Sequence, residues 1–201
     1  MRTIRYVVVH SSDTSDKAGN AVDASLESMR RYHIEHNGWN DIGYHFVVRM
    51  NGEVEYGRAL AVEGAHVQGF NAETIGICCS GDGDVLPFTL AQRRTLATLC
   101  AKLCREFGLS PLAVIGHREA DDHGAPPVLK RCPGAHVNLD AIRADVQLEL
   151  DALRLVPRTP PLPSPPSVPF DLILKPAADQ ATRVEALERR VAELERLLLA
   201  S

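Results

Sequence analysis

This chain of 201 residues has no long apolar run, no excess of basic residues and few aromatic side chains, which make up 5% of the residues. No run of about 18 apolar residues occurs, so the sequence offers no membrane-spanning helix. The 22 Lys and Arg are spread among 26 Asp and Glu, which gives a formal net charge of −4. Because nucleic-acid-binding proteins usually carry a basic patch or stripe, we expect no nucleic-acid partner.

The amino-terminal segment also lacks the features of a secretory signal. Residues 1–10 form a short strand pattern without the longer apolar core and small-residue cleavage site that such a signal needs. The sequence therefore predicts a protein that is made and folds in the cytoplasm. If its substrate lies outside the membrane, another agent must release the protein.

Cysteine is sparse and odd in number, with five residues. An odd count in a chain expected in the cytoplasm argues against a disulfide framework. Cys132 lies in the polar, turn-prone stretch Lys130–Gly134, where the pattern gives it no packing role. The other four fall in apolar strand or helix patterns and are expected to be small buried residues, namely Cys78, Cys79, Cys100 and Cys104.

Apolar periodicity divides the first 156 residues into alternating strand and helix patterns. An Asn-Gly pair at 51–52 predicts a β-hairpin, and Thr89 and Gly108 are suited to begin and end a helix. We predict an α/β fold with a mixed central β-sheet flanked by helices. The predicted strands cover residues 4–10, 44–50, 53–57, 73–80 and 112–116, and the predicted helices cover 24–36, 89–107 and 138–153.

The character of the sequence changes at Val156. Eight of the 13 prolines fall between residues 157 and 176. This density excludes a helix or a central strand and favours a semi-rigid extended spacer. We therefore predict a folded domain at 1–156, a proline-rich linker at 157–177 and an amphipathic helix at 178–201.

The predicted terminal helix carries an apolar stripe at spacings of three and four, which is typical of a short coiled coil. In this register Arg183 and Arg190 lie at g positions and Glu188 and Glu195 lie at e positions, so a parallel pair would bring opposite charges together. The helix is therefore predicted to form a homo-oligomer. Because the stripe spans under three heptads, docking on its own domain is the alternative. The stripe consists of Val184, Leu187, Val191, Leu194 and Leu198.

Three residues that are distant along the chain combine into a candidate metal site. His10 and His117 each end a predicted strand, and Cys132 lies in the loop beyond. Zinc favours imidazole nitrogen and thiolate sulfur, and a catalytic zinc site keeps three protein ligands and an open position for water. We therefore expect a Zn2+ cofactor, with His123 as the main competitor for a ligand position. Taken singly, each of these residues could equally be structural.

Lys130 and Tyr44 are the candidates for assisting at such a site. If the stretch around Cys132 is extended, Lys130 lies on the same side as Cys132, where its ammonium could stabilise a developing oxyanion. The Tyr44 phenol could hydrogen-bond the attacking water or that oxyanion. The alternatives are a solvated surface lysine and an ordinary half-buried strand aromatic.

Short motifs that run in a fixed order over residues 4 to about 150 carry a family resemblance. With them, the chain resembles the zinc-dependent N-acetylmuramoyl-L-alanine amidases of the bacteriophage lysozyme type and is similar to the peptidoglycan recognition proteins. Between the last two motifs, the loop from Ala120 to Leu129 is longer than in compact phage members. The motifs are Val8–Ser12, Gly38–Phe46, Asn51–Val54, Gly64–His66, Gly69–Asn71, Ile75–Ile77, Gly116–Glu119 and Lys130–Gly134.

The resemblance implies a peptidoglycan substrate and zinc-dependent hydrolysis of the amide bond between N-acetylmuramic acid and L-alanine. Without a secretory signal, a phage or prophage endolysin that waits for host lysis is the expected biological role. The resemblance implies zinc ligation by His10, His117 and Cys132, catalytic assistance by Tyr44 and Lys130, and a substrate groove bordered by His66 and Asn71.

Three alternatives stay open at the level of sequence. The chain could be a cytoplasmic amidase that recycles muropeptide fragments, or a non-catalytic peptidoglycan-binding module. It could also be a cysteine peptidase with Cys132 as nucleophile and His117 as base. Chelators would inactivate only a metal enzyme, whereas an alkylating agent would inactivate the peptidase.

Overall fold

A five-stranded sheet forms the centre of the computed structural model, which describes residues 2–127 and 131–155. Its order is β3-β2-β4-β1-β5. β1 runs parallel to β4 and β5, β2 runs parallel to β4, and β3 pairs antiparallel with β2. The predicted α/β fold with a mixed central sheet is confirmed for the described residues. The strands are β1 (Tyr6–Ser11), β2 (Phe46–Val48), β3 (Val54–Tyr56), β4 (Thr74–Cys79) and β5 (Val114–Gly116).

Three α-helices accompany the sheet within the described part of the chain, with ends close to those predicted. Thr89 and Gln92 form a reciprocal capping box at the start of the second helix, and Gly108, with φ of 68°, ends it. The side chain of Asn138 accepts a hydrogen bond from the first turn of the third helix. These caps satisfy backbone groups that a helix leaves unpaired at its ends. The helices are α1 (Leu26–Glu35), α2 (Leu90–Phe107) and α3 (Leu139–Leu155).

The two faces of the sheet are covered differently. One face packs against α2 and α3 through an apolar core that includes Val7 and Val9 of β1. Successive side chains of a strand point to opposite faces, so His10 lies on the other face. There its register partner Cys78 packs in a cluster with residues of α1. The candidate metal site is therefore on the face opposite the α2–α3 layer.

The strand predicted at 112–116 is shorter than expected. Pro111–Ala113 form a single 3-10 turn, and only Val114–Gly116 belong to β5. Proline fixes φ in the helical range and has no N–H to donate to a neighbouring strand, which accounts for the late start. The segment after β5, expected as a loop, contains two further 3-10 turns, at His117–Glu119 and Asp121–His123.

Two findings concern the cysteines and the possibility of a membrane span. None of the five cysteines forms a disulfide. Within residues 2–127 and 131–155, no helix has both the length and the apolar character needed to cross a bilayer.

Some predictions concern residues outside the described part of the chain. These are Lys130, the proline-rich linker at 157–177 and the amphipathic helix at 178–201. The domain boundary at 156 and the self-association of the terminal helix stay predictions.

Candidate metal centre

The carboxyl ends of two neighbouring parallel strands carry the two histidines of the candidate site. His10 lies near the end of β1, and His117 directly follows β5. Val9 pairs with Gly116, so strand pairing brings both imidazoles to one edge of the sheet, with ring centroids 4.7 Å apart. Cys132 completes the group, because one ligand atom from each of the three side chains lies within 4.8 Å of the others. This arrangement could hold a metal ion.

The His10 imidazole is 1% exposed, and both of its nitrogens have neighbours. Nδ1 lies 3.6 Å from Cys132 Sγ, and Nε2 lies 3.1 Å from Nδ1 of His66. Burial lowers the pKa of His10 well below its usual value, and the nearby His66 and His117 lower it further. His10 is therefore neutral at pH 7, which is the state in which an imidazole binds a metal.

The side chains of His66 and Asn71, expected to border a substrate groove, both have partners inside the protein. His66 is 9% exposed, and its Nε2 lies 3.3 Å from Oγ1 of Thr74. Asn71 Oδ1 accepts hydrogen bonds from the backbone N–H groups of His66 and Val67, at 2.9 and 2.8 Å. Burial, followed by the charge of His45, lowers the pKa of His66 well below its usual value. A contact between substrate and His66 or Asn71 stays a prediction.

The loop that carries Cys132 is tied to the turn that carries His117. The backbone N–H of Arg118 donates to the carbonyl oxygen of Cys132 at 2.8 Å. The Arg118 guanidinium donates to the carbonyl oxygens of Gly134 and Val137, at 2.5 and 2.9 Å. Arg118 therefore fixes the position of one candidate ligand relative to the next along the chain.

Two further features brace these loops. Behind Cys132, Gly134 approaches Gly83 so closely that a Cβ on Gly134 would lie 2.0 Å from the Gly83 backbone. At the turn after β5, the Glu119 carboxylate accepts a hydrogen bond from the Gly116 N–H at 2.9 Å and pairs with Arg143 of α3. Each of the two loops that carry candidate ligands is thus held by close contacts with other parts of the protein.

The Tyr44 ring lies beside the candidate metal group, with its centroid 5.1 Å from that of His10. Burial, together with Cys78 and Cys132, raises the pKa of Tyr44 well above its usual value. Tyr44 is therefore a protonated phenol at pH 7. The S–H of the neighbouring Cys78 points to the Cys79 carbonyl oxygen at 3.8 Å.

The remaining sequence candidates lie elsewhere or outside the described residues. The His123 ring packs against Tyr6, with centroids 5.0 Å apart, and His123 does not belong to the group that could hold a metal. His33 accepts a hydrogen bond from the Gly43 N–H at 3.0 Å. Lys130 is not among the described residues, so its place beside the metal stays a prediction.

Three residues that contact the candidate site residues were not predicted from the sequence. Arg118 is adjacent to His117 within a matching motif, a signal that could have identified it. Thr74 and Cys78 gave no such signal, because strand periodicity indicates the face of a residue and not the atoms that it meets.

Residues 1–135 match the family model described as N-acetylmuramoyl-L-alanine amidase. The chain belongs to this family. The chain is 42% identical over 127 residues to the endolysin of Enterobacteria phage K11, and this match covers 62% of the chain and 77% of that relative. It is 38% identical over 102 residues to the endolysin of Klebsiella phage KP32, and this match covers 48% of the chain and 64% of that relative. The predicted family resemblance is confirmed.

A solved structure supports the fold. The N-acetylmuramoyl-L-alanine amidase LysC from Clostridium intestinale matches with a TM-score of 0.62 and 23% identity. The match covers 73% of the present chain and 87% of the LysC chain. At this level of identity, the match concerns the arrangement of strands and helices. It agrees with a mixed sheet flanked by helices.

Proposed function

We propose that the amidase hydrolyses the amide bond between N-acetylmuramic acid and L-alanine in bacterial peptidoglycan, as a zinc-dependent phage or prophage endolysin. Family membership and the endolysin relatives support the reaction and the substrate. The observation that carries the zinc dependence is the convergence of His10, His117 and Cys132 within 4.8 Å.

The donor set fits zinc in chemistry and in spacing. Two imidazoles and one thiolate are ligands that zinc prefers, and three protein ligands leave a fourth position for water or substrate. Zinc bond lengths to nitrogen and sulfur imply about 3.6 Å between neighbouring ligand atoms of a tetrahedral site. The separation of His10 Nδ1 and Cys132 Sγ, 3.6 Å, agrees with this value.

When bound, zinc would supply Lewis acidity, which lowers the pKa of water and polarises a carbonyl. The chain supplies the positioning. The Tyr44 phenol, whose ring centroid lies 5.1 Å from that of His10, would hydrogen-bond the attacking water or the developing oxyanion.

Lys130 is the proposed partner of the negative charge that develops on the carbonyl oxygen. It precedes Cys132 by two residues, so an ammonium there would be close to the reacting carbonyl. Preorganised positive groups at such a position stabilise the transition state. The Lys130 role rests on the sequence and the family resemblance alone.

Metal analysis and wall digestion together test the proposal. We expect one zinc per chain in the purified protein, and release of new L-alanine amino groups from purified sacculi. Chelation should abolish the release, and added zinc should restore it. Cys132→Ser should lose both zinc and activity, whereas His123→Asn, a histidine change away from the site, should retain both.

Two alternative functions give different results in the same assay. A cysteine peptidase would resist chelators and be inactivated by an alkylating agent. A peptidoglycan-binding module would bind sacculi and release no amino groups. A fully active preparation without metal would refute the zinc mechanism.

The biological role needs a comparison of substrates. An endolysin should release L-alanine amino groups from intact sacculi, after host lysis or membrane permeabilisation gives it access to the wall. An enzyme of fragment recycling should prefer soluble muropeptides. The ratio of the two rates distinguishes these roles without reference to the metal.

A further inference from the structure

A chain of three hydrogen bonds leads from the candidate metal ligand His10 into the protein. His10 Nε2 lies 3.1 Å from His66 Nδ1, His66 Nε2 lies 3.3 Å from Thr74 Oγ1, and Thr74 Oγ1 lies 2.9 Å from the carbonyl oxygen of Phe70. We infer that His66 is a positioning residue that holds His10 in the tautomer and ring orientation needed to bind the metal. This inference rests on the proposed zinc site.

The direction of these hydrogen bonds follows from the last acceptor in the series, the carbonyl oxygen of Phe70. Because a carbonyl oxygen only accepts, the Thr74 hydroxyl donates its hydrogen bond to the Phe70 carbonyl. The Asn71 carbonyl oxygen, 3.4 Å from Thr74 Oγ1, could also only accept from this hydroxyl. Thr74 Oγ1 can then only accept from His66, so the proton of the neutral His66 ring is on Nε2.

The same reasoning fixes the state of His10. With its proton on Nε2, His66 has a lone pair on Nδ1, and it accepts from His10 Nε2–H. The neutral His10 ring then has its lone pair on Nδ1, the nitrogen that lies 3.6 Å from Cys132 Sγ. A backbone carbonyl of Phe70 thus determines, through two side chains, which nitrogen of His10 faces the metal position.

Close packing holds the His66 ring in the position that orients His10. It packs on Gly76 of β4, where a Cβ would lie 2.6 Å from His66 Cγ and Cδ2. The backbone of His66 is anchored by the Asn71 side chain. Thr74 is fully buried, so water does not compete for its hydroxyl. Outer partners of metal-binding histidines typically change metal affinity by about 10- to 100-fold when mutated.

The first test is the tautomer of His66 in the wild-type protein. Nitrogen-15 NMR of the histidine side chains, without metal, should find the His66 proton on Nε2. After addition of zinc, His10 should be metal-bound through Nδ1 and should keep its proton on Nε2. A His66 proton on Nδ1 would reverse the chain of donors and overturn the inference.

The second test is zinc affinity, measured by competition with a chromophoric chelator. We expect His66→Leu to bind zinc about 10- to 100-fold more weakly than wild type, and His66→Asn, which retains an acceptor, to recover part of the loss. Thr74→Val should weaken binding by less than His66→Leu, whereas Thr74→Ser, which keeps the hydroxyl, should stay close to wild type. His36→Asn, an exposed histidine on the chain after α1, is the control.

The outcomes separate this inference from the proposed function. If wild type binds one zinc and the Thr74→Val and Thr74→Ser proteins bind it equally well, the positioning role is wrong and the zinc site stands. If wild type binds no zinc and is nevertheless active, both fail. The Thr74 pair keeps the test valid if the His66 variants do not fold, because valine and threonine have nearly the same shape.

Discussion

Arg118 donates its backbone N–H to the carbonyl oxygen of Cys132 at 2.8 Å, across 14 positions of the chain. This single bond joins the turn after β5, which carries His117, to the loop that carries the thiol. The Arg118 guanidinium extends the link to Gly134 and Val137. A loop that has little regular structure is therefore fixed by a neighbour of one candidate metal ligand.

Replacing Arg118 should weaken both the fold of this loop and metal binding. Arg118→Met keeps the aliphatic stem and loses two charged hydrogen bonds to carbonyl oxygens, which should cost about 2 kcal/mol of unfolding free energy. Zinc affinity should fall as well, because Cys132 is less well positioned. Urea unfolding of the metal-free protein and a zinc titration measure the two effects. Arg105→Met, at an exposed position of α2, should change neither; equal zinc affinity in both variants would contradict the role of Arg118.

Gly134 should be intolerant of any side chain. Gly134 and Gly124 have similar positive φ values, 112° and 105°, but a Cβ at Gly134 would meet the Gly83 backbone at 2.0 Å, and one at Gly124 would meet nothing within 4 Å. Gly124→Ala should therefore cost about 1–2 kcal/mol from backbone strain alone. Gly134→Ala should cost about 3 kcal/mol or more, because overpacking is added. Thermal unfolding of the two variants measures the difference; equal costs would show that the loop simply moves aside.

Removal of the Tyr44 hydroxyl should slow the reaction without releasing the metal. Tyr44→Phe retains the ring beside His10 and loses the hydroxyl proposed to hydrogen-bond the attacking water or the oxyanion, so kcat should fall about 100-fold or more. The zinc content should equal that of wild type. Amino-group release from sacculi and metal analysis give the two values. Cys78→Ala, which leaves the Tyr44 hydroxyl in place, should have a smaller effect; a fully active Tyr44→Phe protein would exclude this role.

His45 should make the protein less stable in acid. Burial lowers the pKa of this 1% exposed histidine to about 4, although hydrogen bonding to the Val62 carbonyl opposes the shift. Below pH 6.5, the usual pKa of histidine, His45 binds a proton in the unfolded chain. In the folded protein it binds that proton only near pH 4. His45 therefore contributes stability at pH 7 that is lost as the pH falls through this window.

The expected loss from His45 between pH 7 and pH 5 is about 2 kcal/mol. His45→Asn, whose amide oxygen can still accept from the Gly76 N–H, should have a flatter dependence of unfolding free energy on pH. Urea unfolding at several pH values compares the two proteins. Parallel curves for wild type and variant would mean that His45 does not titrate in this way.

The terminal helix predicted at 178–201 should associate with a second copy of itself. The full chain should sediment as an oligomer, and a chain that ends at Val156 should sediment as a monomer, because the apolar stripe is then missing. Analytical ultracentrifugation at several concentrations gives both masses. Monomeric mass for both proteins would favour docking on its own domain or an isolated helix.

Local signals in the sequence accounted for most of the fold. Thr89 and Gly108 marked the ends of α2 because capping depends on a few adjacent residues, and the Asn-Gly pair marked the β2–β3 hairpin for the same reason. The start of β5 was harder to predict, since a proline turn and a short strand share the same apolar pattern. The candidate metal site was predicted from the ligand chemistry of two strand-end histidines and a loop cysteine, and the family motifs gave the same three residues.

The sequence by itself determined the residue types of the site, the strands and helices that carry them, and the family to which the chain belongs. Only the tertiary structure decided which atoms meet. That His10 turns Nδ1 toward Cys132 and Nε2 toward His66, and that Thr74 and Phe70 complete the hydrogen-bond chain, depends on the pairing of β1 with β4 and on the space above Gly76. The contacts of His10 with His66 and Cys132 join residues 56 and 122 positions apart, and hydrogen bonds act over about 3 Å, so the partners of His10 are set by packing and not by local sequence.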